Sequence, residues 1–141
     1  MKILIAGAAG RLGRALADPL EKRWQVVSLT RDELDITSES AVRAALDNHQ
    51  PGLVINAAAF TDVDGAESRP AAAREANALG PRNLARETLR REAALLNFST
   101  DYVFDGAKET AYDENDAPAP LSVYGESKLA GEEEIRRHNP R

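Results

Sequence analysis

The sequence has no cysteine. That excludes disulfides and thiolate metal sites, and it suits a cytosolic protein. Histidine is nearly as scarce. His49 and His138 stand far apart in polar surroundings, so no metal centre is expected on them. There is no surplus of positive charge: 18 Lys and Arg against 23 Asp and Glu leave a net charge of −5, which argues against a nucleic-acid backbone as the main partner. No stretch approaches the ~20 apolar residues of a membrane helix. The apolar opening, Met1 to Ala6, breaks at Gly7 and is too short for a signal-peptide core. Repeats and low-complexity segments are also missing. What remains is 141 residues, 43% hydrophobic and 29% charged, the composition of one soluble globular domain.

Ile3-Leu4-Ile5-Ala6 reads as a strand covered on both faces, the pattern of a parallel sheet. It runs into Gly7-Ala8-Ala9-Gly10-Arg11-Leu12-Gly13. Leu12, Ala15, Leu16 and Leu20 then recur at helical spacing, with Pro19 as a disturbance near the helix end. Strand, glycine turn and helix in that order are the context in which glycines bind phosphate. The backbone can pass close to a pyrophosphate, and the helix offers free N–H groups. The spacing G-x-x-G-x-x-G is one residue longer in its first gap than the usual dinucleotide fingerprint.

Val26 to Leu29 reads as the second strand. A carboxylate at its end selects NAD by holding the ribose 2′-hydroxyl, whereas an arginine accepts the 2′-phosphate of NADP. Here the strand meets Thr30-Arg31, and Arg31 leans toward NADPH, with NADH as the alternative. Leu34-Asp35-Ile36 is a short edge-strand candidate. Thr37 or Ser38 should cap a helix carrying Ala41, Val42, Ala45 and Leu46. Leu53 to Asn56 is another buried strand. The small residues Ala57, Ala58 and Ala59 after it leave room for a ligand, and Asn56 either bonds that ligand or finishes the strand. Thr61 to Glu67 is loop or short helix. A long helix should start after Pro70 and kink or restart at Pro81, with Asn77 and Asn83 as buried helix polars and a solvated Arg/Glu face with ion pairs opposite. Ala94 to Ser99 is the next strand, followed by Thr100-Asp101-Tyr102. Asp105 to Pro120 is loop, and the last helix begins near Ser122.

Ligands of open parallel sheets bind at the carboxyl ends of the strands. Gly7, Arg31, Asn56 and Thr100 all fall there. On the last helix, Tyr124 and Lys128 are four residues apart and share one face, about one ~5.4 Å turn apart. A tyrosine hydroxyl can give a proton to a carbonyl oxygen, and a neighbouring ammonium favours the tyrosinate left behind.

Together these motifs resemble the extended short-chain dehydrogenases/reductases, and within them the dTDP-4-dehydrorhamnose reductase family. The matching stretches are Gly7 to Gly13, Leu34-Asp35-Ile36, Asn56 to Ala59, Val63 to Glu67, Ser99-Thr100-Asp101-Tyr102-Val103-Phe104 and Tyr124 to Glu132, which span essentially the whole chain. Dehydratases of the superfamily carry a glutamate where this chain has Tyr102, so reduction is favoured over water elimination. The resemblance implies Thr100, Tyr124 and Lys128 as a catalytic triad. Thr100 and Tyr124 would donate hydrogen bonds to the substrate oxygen, Tyr124 would act as general acid, and Lys128 would hold the nicotinamide ribose. It also implies cofactor contacts from Gly7, Gly10, Arg11, Leu12, Gly13, Thr30, Arg31, Asp35, Ile36 and Asn56 to Ala59, and a dTDP-sugar pocket shaped by Thr100, Asp101, Tyr102 and Tyr124.

The expected fold is therefore a Rossmann-type, doubly wound parallel sheet of order 3-2-1-4-5. Residues 1–141 would form the NAD(P)-binding domain, with the C-terminal substrate part of the family absent. Such a chain should bind cofactor weakly, turn over little alone, and self-associate through its open sheet edge. Two other readings stand beside this one: a non-catalytic, dinucleotide-binding regulatory subunit, and a reductase for another nucleotide-sugar. The complete triad speaks against the first.

Overall fold

The computed structural model describes residues 1–140. Four parallel strands, β1 (Lys2–Ala6), β2 (Gln25–Leu29), β3 (Leu53–Asn56) and β4 (Ala94–Asn97), form one sheet of order β2-β1-β3-β4. Helix α1 (Arg11–Glu21) joins β1 to β2, and α2 (Glu39–His49) joins β2 to β3. The long β3-to-β4 crossover holds α3 (Val63–Ser68), α4 (Pro70–Arg74), a π-helical turn (Glu75–Leu79) and α5 (Gly80–Arg90). After β4 come a 3-10 turn (Asp101–Val103), a loop, and α6 (Val123–His138). None of these helices is long and apolar enough to cross a membrane.

Alternation along the strands sends side chains to two faces. Leu4, Ala6 and Val54 pack with Val42, Leu46, Leu84, Leu34 and Ile36 on the face covered by α2 and α5. Ile3, Ile5 and Ile55 pack with Leu16, Ala17 and Leu20 of α1 on the other. Helices on both faces are the doubly wound arrangement expected from the apolar strand runs. The α1 face is covered only in part. Leu96 of β4 and Phe98 just beyond it are 43% and 38% exposed.

The expected edge strand at Leu34-Asp35-Ile36 does not form. Its apolar–polar–apolar pattern comes from two core plugs, since Leu34 and Ile36 are both buried. Asp35 Oδ1 accepts hydrogen bonds from Thr37 N and Oγ1, which turns the chain. The carbonyls of Ile36 and Thr37 are bonded by Asn83 Nδ2 of α5 rather than by a neighbouring strand. The remaining four strands keep the expected order.

Other local expectations hold with small differences. Ser38 caps α2, its Oγ accepting from Ala41 N. Pro19 lies within α1, which runs on to Glu21. The crossover helix restarts at Pro81 as α5, directly after the π-helical turn. The Arg/Glu face of α5 is not wholly solvated. Glu87 is 1% exposed and bonded by Arg91 Nη1 at 2.6 Å, Arg90 Nη1 at 2.9 Å and Arg43 Nη2 at 3.5 Å. That node ties α2 to α5.

Candidate active site

The strands end level. Leu29, Ala6, Asn56 and Asn97 lie in one row across the sheet. The residues that follow them therefore converge on one edge: Thr30-Arg31, Gly7, Ala57 and Phe98.

Gly7 and Ala8 donate their N–H groups to Leu29 O, both at 3.0 Å, closing a tight turn in which Gly7 has φ +82°. A side chain at Gly7 would also strike Ala58, with Cβ only 2.6 Å from its nitrogen, and one at Gly13 would overlap Gly7 O. These two glycines seat the turn against Ala57-Ala58 and seat α1 against the turn. Helices α2, α3 and α6 each begin with a side chain on a first-turn amide, from Ser38, Asp62 and Ser122. Helix α1 has no side-chain cap and no acid in its first turn. Its helical bonding starts with Arg14 N to Gly10 O, which leaves the N–H groups of Arg11, Leu12 and Gly13 outside the helical ladder at its positive end.

A trough runs along this edge. One end is lined by Gly7, Ala9, Gly10, Arg31, Leu34, Asp35, Ile36, Thr37 and Ala76. The other is lined by Gly10, Arg11, Leu12, Asn56, Thr61, Phe98, Ser99, Tyr124 and Lys128. Gly10 and Ala57, Ala58 and Ala59 belong to both ends, so the two ends adjoin. Its charged lining is Arg31 and Asp35 at one end, Arg11 and Lys128 at the other. The hydroxyl and N–H of Thr37 hold the Asp35 carboxyl below its usual range, and Arg31 adds to this. Thr30 turns away: its N–H and Oγ1 both donate to Glu33 Oε2 at 2.8 Å. Asn56 finishes the strand, donating from Nδ2 to Asn97 Oδ1 (2.7 Å) and accepting from Ala58 N (3.2 Å).

Helix α6 closes the second end. Ser122 Oγ accepts from Gly125 N, and Glu67 Oε1 of α3 accepts from Val123 N at 2.9 Å. A Cβ at Gly125 would overlap Tyr102 O, and one at Gly131 would overlap Asn77 O. The helix backbone thus rests directly on the 3-10 turn and on the π-helical turn. Asn77, 2% exposed, grips Phe60 N and O with its amide and donates to Ser127 Oγ (2.9 Å). Ser127 Oγ donates in turn to Tyr124 O (2.7 Å). One buried amide therefore fixes the loop after β3 to the helix that carries the tyrosine. The expectation of working polars at Asn77 and Asn83 holds for both.

Lys128 is 8% exposed, and its Nζ donates to Phe98 O at 2.5 Å. Burial pushes its pKa down, while the Glu132 carboxylate opposes that shift. Tyr124 meets Tyr102 edge to face, with ring centroids 5.7 Å apart. Tyr124 and Lys128 thus share the trough with the glycine turn. Thr100 does not line it. Its Oγ1 accepts from Tyr102 N (3.2 Å), and the residue borders an outer cavity with Asp101, Glu114, Asp116 and Glu132. Its neighbour Ser99 lines the trough. Ser99 also borders the outer cavity, where its hydroxyl donates to Glu132 Oε1. Thr61, Ala76 and Phe98 were not singled out by any motif.

A level row of parallel strand ends, a glycine turn opening an uncapped helix and a Tyr–Lys face on α6 define a Rossmann-type domain of the extended short-chain dehydrogenase/reductase class. Residues 1–141 match the family model described as the RmlD substrate binding domain, and the chain belongs to that family. It is 44% identical to a dTDP-4-dehydrorhamnose reductase of Aggregatibacter actinomycetemcomitans, over 99% of this chain and 48% of that protein. It is 42% identical to a dTDP-4-keto-6-deoxy-D-glucose reductase of Streptomyces niveus, over 94% of this chain and 46% of that one. Among solved structures, the Bacillus anthracis dTDP-4-dehydrorhamnose reductase in complex with NADP superposes with a TM-score of 0.96 at 37% identity, covering 98% of this chain and 50% of that chain. The chain spans about half the length of the curated relatives it matches.

Proposed function

We propose that residues 1–141 are the dinucleotide-binding domain of an NADPH-dependent cytosolic reductase that converts the 4-keto group of dTDP-4-dehydrorhamnose to an alcohol. The observation that carries this reading is that the start of α1 after the glycine turn, Tyr124 and Lys128 line one end of the trough, which adjoins the end lined by Arg31 and Asp35. The names of the reductases to which the chain is similar supply the substrate class. The residues fit a dinucleotide. The free amides of Arg11, Leu12 and Gly13 suit a pyrophosphate, and the glycines and alanines let it come close. Asp35 and Ile36 would flank the adenosine end, and the Arg31 guanidinium suits a 2′-phosphate. Held there, NADPH supplies the hydride.

Tyr124 gives its proton to the growing alkoxide as general acid. Lys128, buried and positive, stabilises the tyrosinate left behind and holds the ribose. Thr100, which here borders the outer cavity, would have to turn its hydroxyl toward the trough to donate a second hydrogen bond, and Asp101 and Tyr102 would shape the sugar side. Tyr102 brings an aromatic edge to Tyr124 and no carboxylate, which favours reduction over dehydration. A regulatory module that only binds a dinucleotide has no need of a tyrosine and a buried lysine in the same trough. Another nucleotide-sugar substrate is the second reading, supported by the likeness to the Streptomyces niveus reductase.

A fluorescence titration of the chain with NADPH and with NADH tests the cofactor assignment. Tighter binding of NADPH is expected, with the preference lost in Arg31→Ala. Equal affinities in the wild type would remove Arg31 from its role, and absence of binding by both would sink the trough as a cofactor site.

A further inference from the structure

Lys128 is an unusual lysine for a surface cleft. It is buried, its ammonium is bonded to a backbone carbonyl, and it forms no ion pair among the described residues. A desolvated ammonium without a counter-charge tends to lose its proton. The groups around it are few. Tyr124 and Glu132 stand one turn away on either side along α6. Phe98 and Ser99 face it from the end of β4, and Arg11 faces it from α1 across the trough. The lining contributed by the end of β3 and the loop after it, Asn56 to Ala59 and Thr61, carries no titratable side chain. Asp101 and Tyr102 lie beyond Tyr124 on the 3-10 turn. Glu126 is two residues from Lys128 but exposed on another side of α6, so Glu132 is the carboxylate one turn away on the same face. Ser99 Oγ donates a hydrogen bond to Glu132 Oε1, while Arg136 Nη1 stands 3.7 Å from its other oxygen. Glu114 and Asp116 share the outer cavity with it, and Asp116 is already paired with Lys108.

Two successive rungs of α6 therefore grip two successive residues at the end of β4. Lys128 takes the carbonyl of Phe98, and Glu132 takes the hydroxyl of Ser99. We propose that Glu132 is a positioning residue whose carboxylate, aimed by Ser99, is the counter-charge that keeps Lys128 an ammonium in the trough. The structure gives Ser99 a task different from that of Thr100: it orients a charge rather than touching substrate. The importance of that charge for turnover rests on the reductase reading above, but the electrostatic claim does not.

The test is an NMR titration of the Lys128 side-chain carbon in the 141-residue chain, which needs neither cofactor nor turnover. Removing a negative neighbour weakens the charged form of a lysine, so Glu132→Gln should move the Lys128 midpoint down. Arg136→Gln removes the cation that offsets Glu132. It lies on the exposed side of the helix, so folding is safe, and it should move the midpoint up. Ser99→Ala leaves the carboxylate but frees it to swing away, so the midpoint should fall part of the way toward that of Glu132→Gln. A midpoint unmoved by Glu132→Gln, or moved the same way by Glu132→Gln and Arg136→Gln, overturns the proposal. An unmoved midpoint in Ser99→Ala overturns the part given to Ser99. In a turnover-competent reductase containing this chain, Glu132→Gln should also bring the alkaline loss of kcat to lower pH, a change that a purely structural role would not produce. Failure of the wild-type chain to bind NADPH would strike the reductase reading and leave the lysine titration standing.

Discussion

Tyr124 and Lys128 stand one helical turn apart, yet their surroundings differ: the tyrosine opens to the trough and the lysine is buried in its wall. Replacing the tyrosine by phenylalanine removes one hydroxyl and little packing. Tyr124→Phe should leave NADPH affinity within about threefold while lowering kcat of a turnover-competent reductase by about 10²- to 10⁴-fold, the usual share of a general acid. Single-turnover kinetics alongside the binding titration would separate the two. Gly131 poses a packing question instead. Alanine there meets the Asn77 carbonyl, which is backbone and cannot swing aside. Gly131→Ala should lower stability by about 2 kcal/mol, readable as a lower urea midpoint at unchanged slope. At this scale the sequence was informative wherever chemistry is local. The glycine turn, the Tyr–Lys spacing and Arg31 could each be assigned to the trough lining from a few adjacent residues. The Ser99–Glu132 tie joins positions 33 apart in sequence, and no local pattern could reveal it.

Helix α5 carries a carboxylate where water does not reach. Burial raises the pKa of Glu87, but the hydrogen bond from Arg91 and the charges of Arg90, Arg91 and Arg43 outweigh it, and the net direction is down. An acid whose folded-state pKa is depressed adds stability above its unfolded-state value, and that stability is lost as pH falls through the folded value. The chain should therefore lose stability as pH drops below about 4.5, and Glu87→Gln should flatten that slope in thermal melts while costing about 3 kcal/mol at neutral pH. Asn77 gives the second element-scale prediction. Asn77→Ala leaves Phe60 N–H and O without their partners. The Phe60 amide should exchange with deuterium at least tenfold faster, and stability should fall by about 2 kcal/mol. Strands and helix starts were legible because their period and caps are written in order along the chain. Leu34-Asp35-Ile36 was misread because two core plugs around a turn-forming aspartate produce the same alternation as a strand. Helical pattern alone placed Glu87 in solvent, because only the fold brings Arg43 of α2 beside it.

Across the whole molecule, both sheet edges stay open among the described residues, at β2 and at β4. The outer side of β4 has no neighbouring strand among the described residues, and Leu96 and Phe98 stand exposed on the partly covered face. Unpaired edges and apolar patches favour pairing with another copy. Sedimentation of the isolated chain should show concentration-dependent association, weakened by Leu96→Lys; a monomer at every concentration would count against it. The order of the four strands was legible through the resemblance to a Rossmann-type family and not through any local pattern. The π-helical turn before Pro81 has a consequence for insertion and deletion rather than for substitution. A helix advances about 100° per residue, and this wider turn absorbs an extra position while presenting the Asn77 amide to the loop after β3 and the Asn77 carbonyl to Gly131. Deleting one residue between Glu75 and Leu79 would let the helix run on regularly and would turn Asn77 relative to Asn83 by roughly that angle. One of the two clamps would then point into solvent. Shortening the chain here by a single codon should thus be tolerated far worse than most point changes in the same stretch, and a deletion scan would show it as a sharp, five-residue trough in fitness.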